Sequence, residues 1–249
     1  SRSSWPCGSS LPRSPLPRPS SELILSDAAC AIGVRPATEG QLACLSFHPR
    51  KLRTTGEGGA ILTDDCAVIE SVRRLRAHGL CAVPGEEVME LPESGLNYRL
   101  AEVAAAMGRV QLRRLPQLVA RHRELAEHYR SRLSDSNLGC QADHPERIWQ
   151  TFAVVLPAGI SRKAVRAELQ AEGIETQIAS YGLHRLAAFR NAPRFAAHGA
   201  SSELPVTDRL HDRGLALPLH SELSKDDVDR VCAMLRKAVA LPTVRATDS

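Results

Sequence analysis

The sequence has few aromatic residues and no long apolar run, and both scarcities narrow its possible functions. Phenylalanine, tyrosine and tryptophan make up 4% of the 249 residues, which leaves few rings on which nucleic-acid bases could stack. The 32 basic residues are interleaved with 28 acidic ones rather than clustered in one stripe. No apolar segment is long enough to cross a membrane as a helix. The sequence therefore predicts neither a nucleic-acid-binding protein nor a membrane protein.

Cysteine pairs at metal-ligand spacing are also missing. The seven cysteines include no C-x-x-C pair, which excludes zinc-ribbon and thioredoxin-like sites. Their number is odd and their spacing is irregular, as is typical of free thiols in a reducing compartment. The sequence therefore predicts a cytoplasmic protein with no disulfide framework and no structural metal site.

The first segment of the chain, residues 1–21, contains no acidic residue. It holds eight serines, five prolines and three arginines. Such a composition cannot bury enough apolar surface to offset the entropy lost on ordering. We therefore expect residues 1–21 to be disordered and the folded part to begin at Glu22.

The remaining chain alternates short apolar runs with helical periodicities, which predicts an α/β protein. Residues 22–134 contain three predicted strands, the first two typical of buried parallel strands, and helices over 67–78, 100–115 and 116–133. Residues 135–241 contain strands over 149–156, 174–178 and 215–219, a helix capped by Ser161 and a last helix introduced by Ser224. We expect part of a large domain over 22–134, a small α/β domain over 135–241 and a flexible tail over 242–249.

The most informative stretch places a lysine between a strand and a glycine-rich turn. The strand over 43–47 ends shortly before Lys51, and Gly58-Gly59 leads into the next strand. Ligands of α/β proteins bind at the carboxyl edge of parallel strands, and glycines let the backbone pass close to a flat ligand. On the residues alone, a solvated loop charge is the commoner interpretation of such a lysine.

This stretch, Ser46 to Ala60, resembles the cofactor-bearing lysine segment of the DegT-type (DegT/DnrJ/StrS) nucleotide-sugar aminotransferases, which are pyridoxal-phosphate (PLP) enzymes of fold type I. Four further stretches resemble the family in the same order along the chain: residues 27–29, 75–79, 95–112 and 216–219. Five ordered matches are more specific than any single motif. The resemblance covers about residues 22–240. It implies a partial large-domain sheet of the PLP-dependent transferase fold type I and a small C-terminal α/β domain.

The resemblance implies four site residues. Lys51 would hold PLP through its amine and carry a proton between substrate and cofactor. Asp27 would pair with the protonated pyridine nitrogen, and Ser46 would donate its hydroxyl to the phosphate. Asn97 would reach the phosphate of the neighbouring subunit's cofactor, which implies a homodimer. Structural alternatives stay open: a turn acid for Asp27, a backbone-bonded strand serine for Ser46 and a helix N-cap for Asn97.

Two departures from the family pattern stand out. Cys30 occupies the position where the family has glutamine or histidine near the cofactor's phenolic oxygen, and a thiol is a weaker hydrogen-bond partner. Residues 1–21 do not resemble the family's N-terminal portion, which supplies further strands, a phosphate-binding helix and a stacking aromatic residue. We therefore expect this chain alone to form an incomplete sheet with an exposed edge.

The implied function is PLP-dependent transfer of an amino group to a keto group on a nucleotide-linked sugar, in surface-polysaccharide or amino-sugar biosynthesis. The amino donor would be an amino acid such as glutamate. The alternative is a truncated, catalytically silent relative that acts only as a subunit or interaction partner. A PLP-dependent dehydratase is a third interpretation, which Lys51 disfavours because those relatives have histidine at that position.

Overall fold

The structure is a computed structural model that describes residues 25–33, 42–83, 85, 87–190 and 204–241. By internal contacts the chain divides into two units, residues 1–115 and residues 116–249. The expected disorder of residues 1–21, the tail at 242–249 and the start of the first strand lie outside the described residues. Within those residues, no helix combines the length and the apolar character that a membrane crossing requires.

The first unit contains a three-stranded sheet in the order β1 (Leu25–Asp27), β2 (Leu42–Ser46), β3 (Gly59–Leu62). β1 and β2 are parallel, as the sequence predicted, and their register pairs Asp27 with Cys44. β3 runs antiparallel to β2, with Gly59 opposite Ser46. The sequence predicted a buried β1, but Leu25 is 61% exposed because β1 lies at the edge of the described sheet.

Two helices and a short hairpin follow this sheet. α1 (Cys66–Leu75) begins after Asp65, whose carboxylate accepts hydrogen bonds from the first backbone N–H groups of the helix. β4 (Cys81–Ala82) pairs with β5 (Met89–Glu90), and α2 (Glu102–Arg113) comes next. Neither helix contains a buried residue, and Val103 on α2 is 79% exposed. The apolar positions of α2 are therefore largely exposed, whereas Val68 and Val72 of α1 are half-buried.

The turn after α1 and the segment before α2 lie backbone to backbone. Gly95 and Leu96 donate hydrogen bonds to the carbonyl oxygens of His78 and Leu75. Gly79 has a φ of 83°, and a Cβ added there would lie 1.8 Å from the carbonyl oxygen of Glu93. A Cβ at Gly95 would lie 2.3 Å from the backbone nitrogen of Gly79. This close approach requires glycine at both positions.

The second unit contains a four-stranded antiparallel sheet. The strands lie in the order β6 (Gly139–Cys140), β7 (Phe152–Val155), β9 (Gly214–Leu217), β8 (Gln177–Ile178). The helices from the start of this region onward are α3 (Leu115–Leu133), α4 (Arg162–Ala171), α5 (Ala187–Arg190), α6 (Pro205–Arg213) and α7 (Lys225–Ala240), with a 3₁₀ turn at Leu183–Arg185.

The main hydrophobic core of the described residues lies in this second unit. It combines side chains of α3, α4 and α7 with those of β7 and β9. The rings of Tyr129 and Phe152 stack with their centroids 4.8 Å apart, and the Tyr129 hydroxyl donates a 2.9 Å hydrogen bond to the carbonyl oxygen of Pro218. Burial raises the pKa of Tyr129 far above its ordinary value. Because α3 packs here, the contacts divide the chain one helix before the boundary at residue 134 that the sequence predicted.

Helix starts predicted from single residues agree with the structure. Ser161 accepts a hydrogen bond from the backbone of Ala164 and begins α4. Ser224 and Asp227 form a reciprocal capping box at the start of α7. The sequence analysis missed α6. It also missed the hairpin of β4 and β5, because strands of two residues carry too little periodicity to be recognised.

The backbone contact between the two glycine motifs predicts a measurable stability difference. We expect Gly79→Ala to lower the free energy of unfolding by about 2–3 kcal/mol, because the added Cβ meets a backbone carbonyl and the residue keeps a positive φ. Gly85 has a similar φ of 84° but open space around its Cβ position. Gly85→Ala should therefore cost only about 1 kcal/mol. Urea unfolding curves of both variants test this, and equal midpoints would contradict the contact.

Candidate active site

Three of the four residues assigned by the resemblance lie at one edge of the first-unit sheet. Asp27 is the last residue of β1, and Ser46 is the last residue of β2. The two strands are parallel, so their carboxyl ends reach the same edge. Lys51 follows five residues after Ser46 in the loop that leaves this edge. The strand pairing therefore brings together residues that are 24 positions apart in the sequence (27 to 51).

The loop that carries Lys51 is held by hydrogen bonds to its own backbone. The backbone N–H of Thr55 donates to the carbonyl oxygen of Phe47 at 3.0 Å, and that of Lys51 donates to His48 at 2.9 Å. The hydroxyl of Thr54 also donates to Phe47, at 2.9 Å. These contacts fold residues 47–55 into a compact turn. The backbone of Lys51 is therefore fixed. A lysine that served only as a solvated surface charge would not need such a fixed backbone.

The side chain of Lys51 points to the end of β1. Its Nζ atom donates a 2.9 Å hydrogen bond to the Sγ atom of Cys30. Cys30 lies three residues beyond Asp27 and is exposed, and Lys51 is partly exposed. The contact shows that the segment after β1 and the loop after β2 approach within one side-chain length.

Asp27 makes the local contact that its structural alternative predicts. Its Oδ1 atom accepts a 3.1 Å hydrogen bond from the backbone N–H of Ala29, so it does serve as a turn acid. This bond uses one oxygen of the exposed carboxylate, and a carboxylate has two. The turn role and the cofactor role are therefore compatible in one side chain.

Ser46 makes a local contact of the same kind. Its hydroxyl oxygen accepts a 3.3 Å hydrogen bond from the backbone N–H of His48. The residue is half-buried at the end of β2. A hydroxyl that accepts one bond still has a proton to donate, as binding of a phosphate oxygen would require.

The helix N-cap interpretation of Asn97 is wrong. α2 begins after Ala101, which makes no side-chain cap bond, so Asn97 lies four residues before the helix-capping position. The Asn97 Oδ1 atom instead accepts a 3.0 Å hydrogen bond from the Nε atom of Arg99. Asn97 is exposed and forms an isolated antiparallel bridge with Ala77. The structure places it in the backbone-paired region of the glycine motifs.

The glycines after Lys51 are required by the chain's own packing. A Cβ at Gly58, which has a φ of 139°, would lie 2.8 Å from a methyl carbon of Leu100. A Cβ at Gly59 would lie 2.6 Å from the carbonyl oxygen of Leu45 on the paired strand. The sequence analysis explained these glycines by the close approach of a cofactor. The contacts within the chain already explain why a side chain does not fit at either position.

Arg53 is a site neighbour that the sequence analysis missed. It follows Lys51 by two residues and is only 3% exposed. Its Nη1 atom lies 3.5 Å from the Oε1 atom of Gln111 on α2, while Nε and Nη2 have no hydrogen-bond partner among the described residues. Burial, and secondly the charge of Arg114, lower the pKa of this guanidinium. A loop arginine gives no sequence signal for burial, because arginine is usually solvated.

The donor set fits PLP, the cofactor that the resemblance implies. PLP presents an aldehyde, a ring nitrogen that can carry a proton, and a phosphate. Lys51 offers an amine, Asp27 a carboxylate and Ser46 a hydroxyl, all at one sheet edge. In the described ranges, no group of three or more His, Cys, Asp or Glu residues could hold a metal ion.

Comparison with known proteins identifies relatives of this chain. The GDP-perosamine synthase of Caulobacter vibrioides is 31% identical over 226 residues, which are 86% of this chain and 58% of that protein. The solved aminotransferase TlmJ from Streptoalloteichus hindustanus is 30% identical with a TM-score of 0.77, covering 88% of this chain and 58% of its own. DesI, solved in the presence of its TDP-sugar product, is 33% identical with a TM-score of 0.75, covering 87% and 55%.

The fold is therefore that of TlmJ and of DesI, which confirms the predicted α/β fold class. The sequence matches the DegT/DnrJ/EryC1/StrS aminotransferase family over residues 20–236, and the chain belongs to that family. The chain spans 58% of the length of the curated relative and 55–58% of the two solved structures.

The position of Asn97 outside the helix cap predicts that it contributes little to stability. We expect Asn97→Ala to change the free energy of unfolding by less than about 0.5 kcal/mol. The matched control is Asp65→Ala, which removes the observed cap of α1 and should cost about 1 kcal/mol. Urea unfolding of both variants tests this. A larger loss for Asn97→Ala than for Asp65→Ala would show that Asn97 has a structural role.

Proposed function

We propose that this chain carries the catalytic lysine region of a PLP-dependent aminotransferase. The enzyme would transfer an amino group from an amino acid such as glutamate to a keto group on a nucleotide-linked sugar. The observation that carries the proposal is the convergence of Lys51, Asp27 and Ser46 at one sheet edge in a chain of this family. The similarity to the GDP-perosamine synthase of Caulobacter vibrioides and to DesI, which was solved with its TDP-sugar product, supports a nucleotide-linked sugar as the acceptor.

Each residue has a role that its position permits. When bound, PLP supplies an electron-withdrawing ring that lowers the barrier to removing a proton from the amino-acid carbon. The Lys51 amine holds the cofactor and, once released, moves this proton at its Nζ atom. The Asp27 carboxylate holds a proton on the ring nitrogen, and the Ser46 hydroxyl donates to the phosphate.

Asn97 supports a homodimer as part of the proposal. It is exposed, and it does not serve as the cap of α2. An exposed amide in this position is available to reach the phosphate of a cofactor bound in a second subunit. We place the assembled enzyme in the cytoplasm, in a pathway for surface polysaccharides or amino sugars, because nucleotide-linked sugars are its proposed substrates.

A second candidate function is favoured by the exposed apolar faces of the first unit. α1 and α2 bury no residue, and side chains such as Val103 and Met107 are exposed. Exposed apolar faces of this kind are typical of surfaces that bind another polypeptide. A catalytically silent subunit that only binds a partner would show the same surface.

We expect the isolated 249-residue polypeptide to bind PLP weakly, to aggregate and to show little turnover.

Covalent trapping of the cofactor tests the role of Lys51. We expect borohydride reduction in the presence of PLP to fix the cofactor on Lys51, because its amine lies at the carboxyl edge of the parallel strands. The other lysines of the chain are Lys163, Lys225 and Lys237, all in the second unit. Peptide mapping locates the label.

Two variants serve as controls for the trapping experiment. Lys51→Arg should abolish the label, whereas Lys163→Arg should leave it unchanged. The experiment is run on the 249-residue chain and on any longer product of the same coding region. A label spread evenly over the four lysine positions would contradict the assignment.

The charge of Asp27 can be tested separately from its turn contact. Asn can still accept the hydrogen bond from Ala29, so Asp27→Asn removes the charge and keeps the turn. In the longest product of the same coding region, we expect the half-reaction with glutamate to slow by at least about 100-fold, with cofactor binding largely retained. Absorbance of the cofactor follows the reaction.

Asp65→Asn is the matched control for Asp27→Asn. Asp65 also accepts a hydrogen bond from the backbone N–H two residues on, at 2.8 Å. It follows β3, which runs antiparallel to β2, so it leaves the sheet at the opposite edge. Its substitution should not change the rate. Equal rates for Asp27→Asn and the unsubstituted protein would favour the turn-acid interpretation. If none of the proteins carried out the half-reaction, the silent-subunit alternative would be favoured.

A further inference from the structure

The contact between Cys30 and Lys51 places a nucleophilic sulfur against a primary amine. We propose that this pair is a site of reversible oxidative cross-linking, at which a peroxide joins the Cys30 sulfur to the Lys51 nitrogen as a sulfenamide. The two atoms are 2.9 Å apart, so the bond forms between groups already in contact. Lys51 is the sole lysine of the first unit.

Both residues are held in place by their backbones. Cys30 lies in the turn after β1, where Ala28 donates a hydrogen bond to the carbonyl oxygen of Cys44 at 3.0 Å and Ala31 donates to Ala28 at 2.9 Å. Lys51 lies in the turn fixed by its own hydrogen bond to His48. Two groups held in contact react as an intramolecular pair, with a high effective concentration.

The sulfur is accessible to a small oxidant. Cys30 is exposed, unlike Cys232, which is buried in the core of the second unit. Burial raises the pKa of Cys232 to about 12, which keeps that thiol protonated and unreactive. Exposure of Cys30 meets the first requirement for oxidation by peroxide.

The chemistry balances with hydrogen peroxide as the oxidant. The Cys30 sulfur attacks one peroxide oxygen, the O–O bond breaks, and the products are a sulfenic acid and water. The neutral Lys51 amine then attacks the sulfur, an S–N bond forms, the S–O bond breaks, and a second water leaves. Sulfur loses two electrons and peroxide gains them. A dithiol reductant returns both the thiol and the amine.

The consequence for catalysis rests on the proposed function. A Lys51 nitrogen bonded to sulfur cannot bond to the aldehyde of PLP. Cofactor loading and cross-linking therefore compete for one nitrogen atom, and oxidation reversibly blocks the site. The cross-link itself requires only the contact between the two side chains and does not depend on PLP.

The experiment treats the cofactor-free 249-residue chain with hydrogen peroxide, alkylates the remaining thiols and digests without reductant. We expect mass spectrometry to find the Cys30 and Lys51 peptides joined, with a mass two hydrogen atoms below their sum. Dithiothreitol should separate them. The yield should exceed that of the urea-denatured chain by at least about tenfold, because denaturation removes the preformed contact.

Three variants and one ligand define the controls. Cys30→Ser and Lys51→Arg should each abolish the joined peptide, with far-UV circular dichroism checking that the fold is kept. Cys140→Ser should not, because Cys140 is also exposed but the charge beside it is the guanidinium of Arg130. PLP fixed by borohydride should prevent the cross-link. If the joined peptide forms and borohydride fixes PLP only on other lysines, the proposed cofactor role of Lys51 fails while the cross-link stands.

Three results would overturn the inference, and all are read on the unsubstituted chain. The first is Cys30 converted to sulfinic acid with Lys51 unmodified. The second is Cys30 in a disulfide with another cysteine of the chain. The third is an equal yield of the joined peptide from native and urea-denatured protein.

Discussion

The parallel pairing of β1 with β2 is the interaction on which the candidate site depends. Because the strands are parallel, both carboxyl ends lie at the same edge of the sheet. The register pairs Leu25 with Leu42 and Asp27 with Cys44. A shift by one residue would turn each side chain to the other face of the sheet. Asp27, Ser46 and the loop of Lys51 would then no longer converge. Three short pairings of backbone groups therefore decide where an amine, a carboxylate and a hydroxyl meet.

The candidate site lies in the unit with the smaller core. The second unit packs α3, α4 and α7 against β7 and β9, and its largest core side chains are fully buried. In the first unit, the described residues rely on backbone hydrogen bonds, glycine contacts and caps such as Asp65. Apolar burial contributes most of the stability of a folded domain. The geometry of the site is therefore expected to depend more on these local backbone contacts than on apolar burial.

The local hydrogen bonds of the site side chains are compatible with the proposed cofactor-binding roles. Asp27 and Ser46 each accept one hydrogen bond from the backbone two residues on, and these bonds fix their orientation. The remaining carboxylate oxygen and the hydroxyl proton are the atoms that cofactor binding needs. Asn97 differs, because its cap interpretation fails and its amide oxygen instead accepts from Arg99. Local hydrogen bonds of this kind hold the site side chains in a fixed orientation on a small sheet.

The sequence by itself determined the α/β class, the parallel first strands, the caps at Ser161 and Ser224 and the position of Lys51 after β2. These features are local, since periodicity, caps and strand ends are encoded within a few residues. Only the tertiary structure decided that α3 packs in the core of the second unit and that Arg53 is buried. It also decided that Leu100 and Leu45 leave no space for a side chain at Gly58 and Gly59, and that Lys51 contacts Cys30. Each of these depends on atoms far apart in the chain, and a one-dimensional pattern carries no information about which of them come into contact.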